Sequence, residues 1–168
     1  MIKLTLGILV LVCVILPTVG MADCNVITET ASLHRELMPI ILGWKQALLS
    51  KDSQKLASYA LTDQQKYVLL HLKDNKSDLY RYLYKGKHSP YNLFKGAKAL
   101  RIVLVECVEE LHAGFGPRLE VYYYDQEKHK LNFPVSMEEY QALFKKGDVF
   151  LHYWGKEDGY WHANYEFN

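Results

Sequence analysis

The spacing of the apolar residues changes near the middle of the chain, and this change constrains the fold more than any other feature. In the first half, apolar residues recur every three or four positions, as they do along one face of an α-helix. They are Leu33, Leu37, Ile41, Trp44 and Leu48. From residue 98 onward the chain is rich in β-branched and aromatic residues, which favour strands. The sequence therefore predicts an α+β fold in which N-terminal helices pack on a curved antiparallel sheet.

Four helices are predicted in the first half. Pro39 falls inside the apolar stripe and removes a backbone hydrogen bond, so we expect either a kinked helix or a new helix start at this residue. The later helices begin at polar residues that can cap a helix N-terminus. These are Asp52 or Ser53 for the second helix, the capping-box pair Thr62 and Gln65 for the third, and Ser77 for the fourth, which ends near Gly86.

The second half predicts an antiparallel sheet interrupted by one helix. The first long strand covers residues 98–111 and the second covers 119–125, followed by a polar turn into a third strand that ends before Pro134. A short helix over 137–146 is stopped by Gly147. The chain then closes with a hairpin of strands 149–154 and 160–167, in which Trp161, Ala163, Tyr165 and Phe167 share the apolar face.

The N-terminus has the three-part layout of a secretory signal peptide. Lys3 supplies one positive charge, an uncharged apolar run extends from Leu4 to Val19, and small residues lead to Ala22. The run is shorter than the ~20 residues that cross a bilayer comfortably. We predict a signal peptide over residues 1–22 and one domain over residues 23–168, periplasmic or secreted. An uncleaved membrane anchor is the alternative.

The charge balance argues against a nucleic-acid or membrane-surface role. The chain carries 20 Lys and Arg against 19 Asp and Glu, and removal of Lys3 with the signal peptide would leave equal numbers. A neutral surface exerts no long-range attraction on nucleic acid or anionic lipid. We therefore predict no nucleic-acid partner and no membrane association after signal cleavage.

Two cysteines remain after the predicted signal peptide. In an oxidising compartment, Cys24 and Cys107 are expected to form one disulfide. Closing a loop of this length stabilises a protein by roughly 4–5 kcal/mol in the chain-entropy model. Two separate buried thiols are the alternative.

Several short motifs resemble the nuclear transport factor 2-like superfamily, which includes the cystatin-like and SnoaL-type α+β cones. They are Trp44-Lys45-Gln46-Ala47, Lys51-Asp52 with Leu56 and Tyr59, and the terminal Asp158-Gly159-Tyr160-Trp161. The resemblance covers roughly residues 26–167 and implies a cone of helices on a curved sheet. Domains of this type serve as enzymes, ligand pockets, immunity proteins and partner-binding modules. Residues 61–96 depart from the family pattern as a long insertion before the first long strand.

The candidate catalytic residues are His152, His162 and Asp63. The two histidines lie on the two arms of the predicted final hairpin, where they could be neighbours and act as an acid/base or metal pair. Exposed or hydrogen-bonded histidines on a wet sheet face are the alternative. Because the sequence has no His-x-His, His-x-x-x-His or Cys-x-x-Cys spacing and no phosphate or dinucleotide fingerprint, we predict no metal and no cofactor.

Aromatic residues are abundant, with 13 tyrosines and three tryptophans. Such side chains are enriched at protein interfaces and on carbohydrate-stacking surfaces, although many also fill cores. The binding candidates combine this aromatic character with positions in the helical half or the expected cone: Tyr59, His71, Tyr82, Tyr84 and Trp154.

These features favour an exported, non-catalytic domain that binds a protein partner or a small ligand in the bacterial envelope. A homodimer is also possible. The first alternative is a small hydrolase or isomerase that uses a His/Asp pair in the cone. The second is a periplasmic immunity protein that blocks a toxin.

Overall fold

Six helices and five strands make up the part of the chain that the computed structural model describes, which is residues 26–27, 31–107, 118–133 and 135–165. The helices are α1 (Ala31–Ser50), α2 (Ser53–Ser58), α3 (Gln65–Lys73), α4 (Asp78–Tyr84), α5 (Pro90–Gly96) and α6 (Met137–Lys146). The strands are β1 (Val26–Ile27), β2 (Leu100–Cys107), β3 (Arg118–Asp125), β4 (Val149–Glu157) and β5 (Tyr160–Asn164). The predicted α+β class is confirmed.

The strands form one antiparallel sheet in the order β1-β2-β3-β4-β5, so every strand pairs with its neighbour in sequence. The β4–β5 hairpin turns at Asp158 and Gly159, which both have positive φ, at 50° and 85°. Two successive residues with positive φ are typical of a tight hairpin turn whose twist matches that of the strands. The predicted hairpin is confirmed.

One face of the sheet packs against the first five helices. The apolar stripe of α1 supplies Leu37, Ile41, Trp44 and Leu48, none of which is exposed to solvent. Alternating residues of β3, β4 and β5 meet this stripe because successive side chains in a strand point to opposite faces. The main core therefore lies between α1 and the sheet, as the helical spacing predicts.

The other face of the sheet carries a second core. Its buried strand residues include Val103, Tyr122, Tyr124 and Leu151, and Leu143 of α6 packs on them. The strands β2, β3 and β4 thus contribute buried residues on both of their faces. The sheet is covered by helices α1–α5 on one side and by α6 with the segment around residues 131–135 on the other.

The predicted helix starts differ from the structure at α3. Asp52 and Ser77 cap α2 and α4 as predicted, and α1 continues through Pro39. The capping box at Thr62 is wrong, because α3 begins after Gln64 without a side-chain cap. The Thr62 backbone N–H instead donates to Glu157 Oε2 at 2.9 Å, a tertiary contact that a local motif does not reveal.

The predicted third strand is also wrong. The segment at residues 129–133 is irregular and lies over the sheet, with the Phe133 ring 5.1 Å from Tyr122 and 5.6 Å from Tyr124. Its apolar residues are buried by packing on a sheet face, which needs no strand pairing. The first predicted strand begins at Leu100, two residues later than predicted, and extends to Cys107, while its predicted residues 108–111 lie outside the described residues.

Two elements were not expected from the sequence. Helix α5 begins with Ser89 as its cap and Pro90 in its first turn, a combination that is typical of helix starts. Strand β1 has only two residues, too few for a recognisable pattern, and pairs with Glu106 and Cys107 at the end of β2.

Candidate functional site

His152 lies in the main core and not in an open site. Its side chain is 3% exposed, and its ring centroid is 4.7 Å from that of Trp44 and 5.2 Å from that of Tyr165. Neither ring nitrogen has a hydrogen-bond partner among the described residues. Burial lowers the pKa of His152 to about 3, and the nearby backbone of Asn164 offsets only part of this effect. The imidazole is therefore neutral at pH 7 and a weak base.

Trp154 and Tyr165 complete the aromatic surroundings of His152. Trp154 is fully buried, with its ring 5.7 Å from that of His152. The Trp44 indole N–H donates to the Tyr165 hydroxyl at 2.6 Å. The candidate Trp154 is thus part of the core, where it contributes packing and offers no surface to a partner.

His162 is held at the outer edge of the sheet. One ring nitrogen, Nδ1, donates to the Ala60 carbonyl at 3.1 Å, and the neighbouring Ala163 N–H donates to the Tyr59 carbonyl at 2.7 Å. His162 pairs with Gly155 across the hairpin, on the sheet face opposite to that of His152. The structure does not bring the two histidines together, so the expected pair does not form.

Tyr59 closes the same edge and packs tightly against α1. A Cβ atom at Gly43 would lie 2.2 Å from the Tyr59 hydroxyl oxygen, so glycine is required for this approach. Tyr59 ends α2, and its carbonyl is used by β5. This candidate binding residue has a structural role on both its backbone and its side chain.

Asp63 is exposed in the turn before α3. The carboxylate whose pKa is influenced by the charge of His162 belongs instead to Glu157, which no sequence motif identifies. The backbone N–H of Thr62 lowers the pKa of Glu157, with a smaller contribution from the charge of His162. Glu157 thus joins the hairpin to the α2–α3 turn, and the proposed His/Asp pair is absent from the described residues.

Two further candidates, Tyr82 and Tyr84, point toward the core. The Tyr82 ring is 5.4 Å from Phe150, and Tyr84 is only 8% exposed. Burial raises the pKa of both phenols well above the ordinary value. The Lys51 ammonium lies 5.7 Å from the centre of the Tyr84 ring, where it can make a cation–π contact. These tyrosines contribute more to packing than to a binding surface.

His71 lies on the outer surface of α3. Its ring stacks on Tyr67 at 3.9 Å, and its Nδ1 donates to the Tyr67 carbonyl at 2.9 Å. Leu70 beside it is 64% exposed. This surface is too small to define a site.

The predicted disulfide lies outside the described residues, because Cys24 and the side chain of Cys107 are not described. The residues that are described contain no group of three His, Cys, Asp or Glu side chains that could hold a metal ion. Within the same residues, no helix has the length and apolar character needed to span a membrane.

A groove of about 650 Å³ opens beside the second core, between β2 and the segment 126–133. We call it the β2 groove. Its apolar lining comes mainly from Val103, Val105, Tyr124, Leu131 and Phe133. Ligand pockets in proteins commonly have volumes of ~300–1,000 Å³ and an apolar lining with a few polar groups. The volume of the β2 groove lies within this range, and its lining combines apolar and polar side chains in similar proportion.

The basic side chains that line the β2 groove are Arg101, His129 and Lys130, and no acidic residue belongs to its described lining. His129 Nε2 lies 3.0 Å from the carboxylate of Asp148, which also lies 3.7 Å from Lys128. Arg101 and Lys130 are exposed and have no carboxylate partner in the described part of the chain. The groove therefore has an apolar lining and a cationic rim.

Asp125 anchors the segment that forms one wall of the groove. Its buried carboxylate accepts hydrogen bonds from the backbone N–H groups of Lys98, Ala99 and Glu127 at 3.1–3.2 Å. Burial alone would raise the pKa of Asp125, but these three donors lower it overall. The anchor ties the segment 126–133 to the start of β2, so the groove walls have a fixed spacing.

A second concavity, of about 350 Å³, is lined by polar residues: Asn75, Lys76, Arg81 and Lys85. It is smaller than the β2 groove, and its described lining includes no apolar residue type, which makes it a weaker candidate for a ligand and a useful control for experiments on the β2 groove.

No protein-family model, curated protein or solved structure matches the chain.

Proposed function

We propose that the chain is an exported, non-catalytic binding domain of the bacterial envelope and that its ligand site is the β2 groove. The observation that carries this proposal is the groove itself, with apolar side chains along its lining and, on its rim, Arg101 and Lys130, which have no carboxylate partner among the described residues. Concave sites of this composition are the usual location of small ligands.

The positions of the candidate catalytic residues support a non-catalytic role. A general base must reach its substrate and hold a suitable pKa. His152 is enclosed by aromatic rings, with its pKa lowered to about 3 by burial. His162 is bound to the backbone of Ala60, and Asp63 is exposed in a turn. No two of these three side chains pair with each other in the described residues.

The nuclear transport factor 2-like cone remains our proposal for the fold family. Its support is local: Asp52 caps α2, Trp44 lies at the centre of the main core, and Asp158 and Gly159 form the final turn. The groove lies on the face of the sheet away from helices α1–α5, so its function does not depend on an open cone interior.

The test uses the mature protein, residues 23–168, and Nile red, an uncharged apolar dye. Asn132 is exposed and lines the β2 groove, so Asn132→Trp should fill the groove without disturbing a core. We expect this variant to weaken Nile red binding at least about tenfold, which corresponds to ~1.4 kcal/mol. Fluorescence titration measures the affinity.

Asn75→Trp is the matched control, because Asn75 is also exposed but lines the smaller polar concavity. It should leave Nile red binding unchanged. Equal affinities for the parent protein and Asn132→Trp would contradict the proposed ligand site.

A further inference from the structure

The structure assigns a class of ligand to the β2 groove: we propose that it binds a single-chain anionic amphiphile, with a carboxylate head at Arg101 and Lys130 and an apolar body along the lining. This inference rests on the proposed function, since it names the ligand of the same site. It is carried by the separation of charged and apolar side chains within the groove.

The rim selects for negative charge. No carboxylate belongs to the described lining, and the carboxylate of Asp148 lies beside His129 and Lys128, at 3.0 Å and 3.7 Å. Arg101 and Lys130 have no ion-pair partner in the described part of the chain. An anionic head would therefore meet cations that are not already neutralised, and an arginine can bind a carboxylate through two parallel hydrogen bonds.

The lining selects for an apolar body. Val103, Val105 and Tyr124 are buried residues of the sheet, and Leu131 and Phe133 face them from the opposite wall. A small inorganic anion would make no use of the exposed parts of Leu131 and Phe133, which are only partly buried. A chain or ring system attached to the head would cover these parts and remove their apolar surface from water.

The position of the cations makes a charged head compatible with binding. Arg101 and Lys130 are both exposed, so the head stays in contact with solvent and keeps part of its hydration. The apolar body enters while the carboxylate remains at the mouth. This geometry favours an acid over its ester, and it disfavours an amphiphile with a cationic head.

The experiment compares a fluorescent fatty acid, cis-parinaric acid, with its methyl ester on the mature protein. We expect the acid to bind at least about tenfold more tightly than the ester, with an affinity that falls as salt is added. The double variant Arg101→Gln/Lys130→Gln keeps the apolar lining. It should weaken binding of the acid about tenfold to a hundredfold and leave binding of the ester unchanged.

Arg81→Gln/Lys85→Gln is the matched control. It removes the same two residue types from the smaller concavity and should leave both affinities unchanged. Dodecyltrimethylammonium should not displace the bound acid, and inorganic phosphate should displace it only weakly. Strong displacement by phosphate alone would overturn the proposal, because it would show a simple anion site.

Two results separate this inference from the function on which it rests. If acid and ester bind equally and both are blocked by Asn132→Trp, the groove binds ligands but does not select anions, and the inference is overturned. If Asn132→Trp affects neither probe, both proposals fail. A dimer in solution that Asn132→Trp converts to a monomer would show that a second copy covers the groove, which also overturns the inference.

Discussion

The imidazole of His152 is surrounded by the rings of Trp44, Trp154 and Tyr165, so its charged form would lose nearly all contact with water. This burial lowers the pKa of His152 to about 3, from an ordinary value of 6.5. As the pH falls, His152 therefore takes up a proton at a higher pH in the unfolded chain than in the folded protein. Full stability is present above about pH 6.5 and is lost progressively as the pH falls toward 3.

Replacement of His152 by leucine should remove most of this acid sensitivity. Between pH 7.5 and 4.5 the parent should lose roughly 2–3 kcal/mol of unfolding free energy through His152. Leucine has a similar volume and no titratable group, so His152→Leu should show a nearly flat profile. Urea denaturation at several pH values measures the difference.

The pH range is chosen to exclude the two carboxyls with shifted pKa values. Asp125 and Glu157 both have lowered pKa values, so their stabilising contribution is present above the ordinary carboxyl pKa values, 3.8 and 4.5, and is lost progressively as the pH falls from there through the lowered values. An equally steep loss of stability in the parent and in His152→Leu would show that burial of His152 does not cause the acid sensitivity.

At the scale of elements, the sequence predicted the structure where a regular local pattern determines it. It did not predict the places where a contact with a distant residue replaces the local pattern. Helix α6 runs from Met137 to Lys146 as predicted, with Ser136 as its cap and Gly147 at its end. The capping box at Thr62 failed because its backbone N–H is used by Glu157, which lies 95 positions away. The apolar residues at 131–133 resembled a strand but lie on a sheet face, a difference that only the assembled sheet determines.

Two features of the structure favour glycine at position 147, at the end of α6, and both can be tested. It has a φ of 79°, and a Cβ atom at this position would lie 2.2 Å from the Lys87 carbonyl oxygen. Gly147→Ala therefore introduces both backbone strain and a clash with backbone. We expect it to lower the unfolding free energy by about 2–5 kcal/mol in urea denaturation.

Gly86→Ala separates these two effects. Gly86 has a φ of 77°, but a Cβ atom there meets nothing within 4 Å. Its substitution should lower the unfolding free energy by only about 1–2 kcal/mol, through strain alone. Equal losses in the two variants would contradict a close approach between Gly147 and the loop that precedes α5.

At the scale of the whole molecule, the sequence predicted the helices on one face of the sheet, but neither the second core beneath α6 nor the location of the groove. The α1 stripe and the alternation in β5 specify which residues face the main core. Arg101 and Lys130 are separated by a complete strand and by residues that are not described, and neither belongs to a motif. They line one groove only because Asp125 holds the segment 126–133 beside the start of β2. No local pattern contains that information.

The proposed disulfide would connect the residues before β1 to the end of β2. Val26, two residues after Cys24 in sequence, pairs with Cys107. In protein purified from an oxidising compartment, we expect thiol titration under denaturing conditions to detect no free cysteine, because β1 and β2 already pair next to the two cysteines in sequence. Reduction should lower the unfolding free energy by roughly 4 kcal/mol, since the bond restricts a long loop in the unfolded chain. Cys24→Ser/Cys107→Ser should match the reduced protein and be insensitive to reductant. Two free thiols in the oxidised preparation would contradict both the bond and the export that it implies.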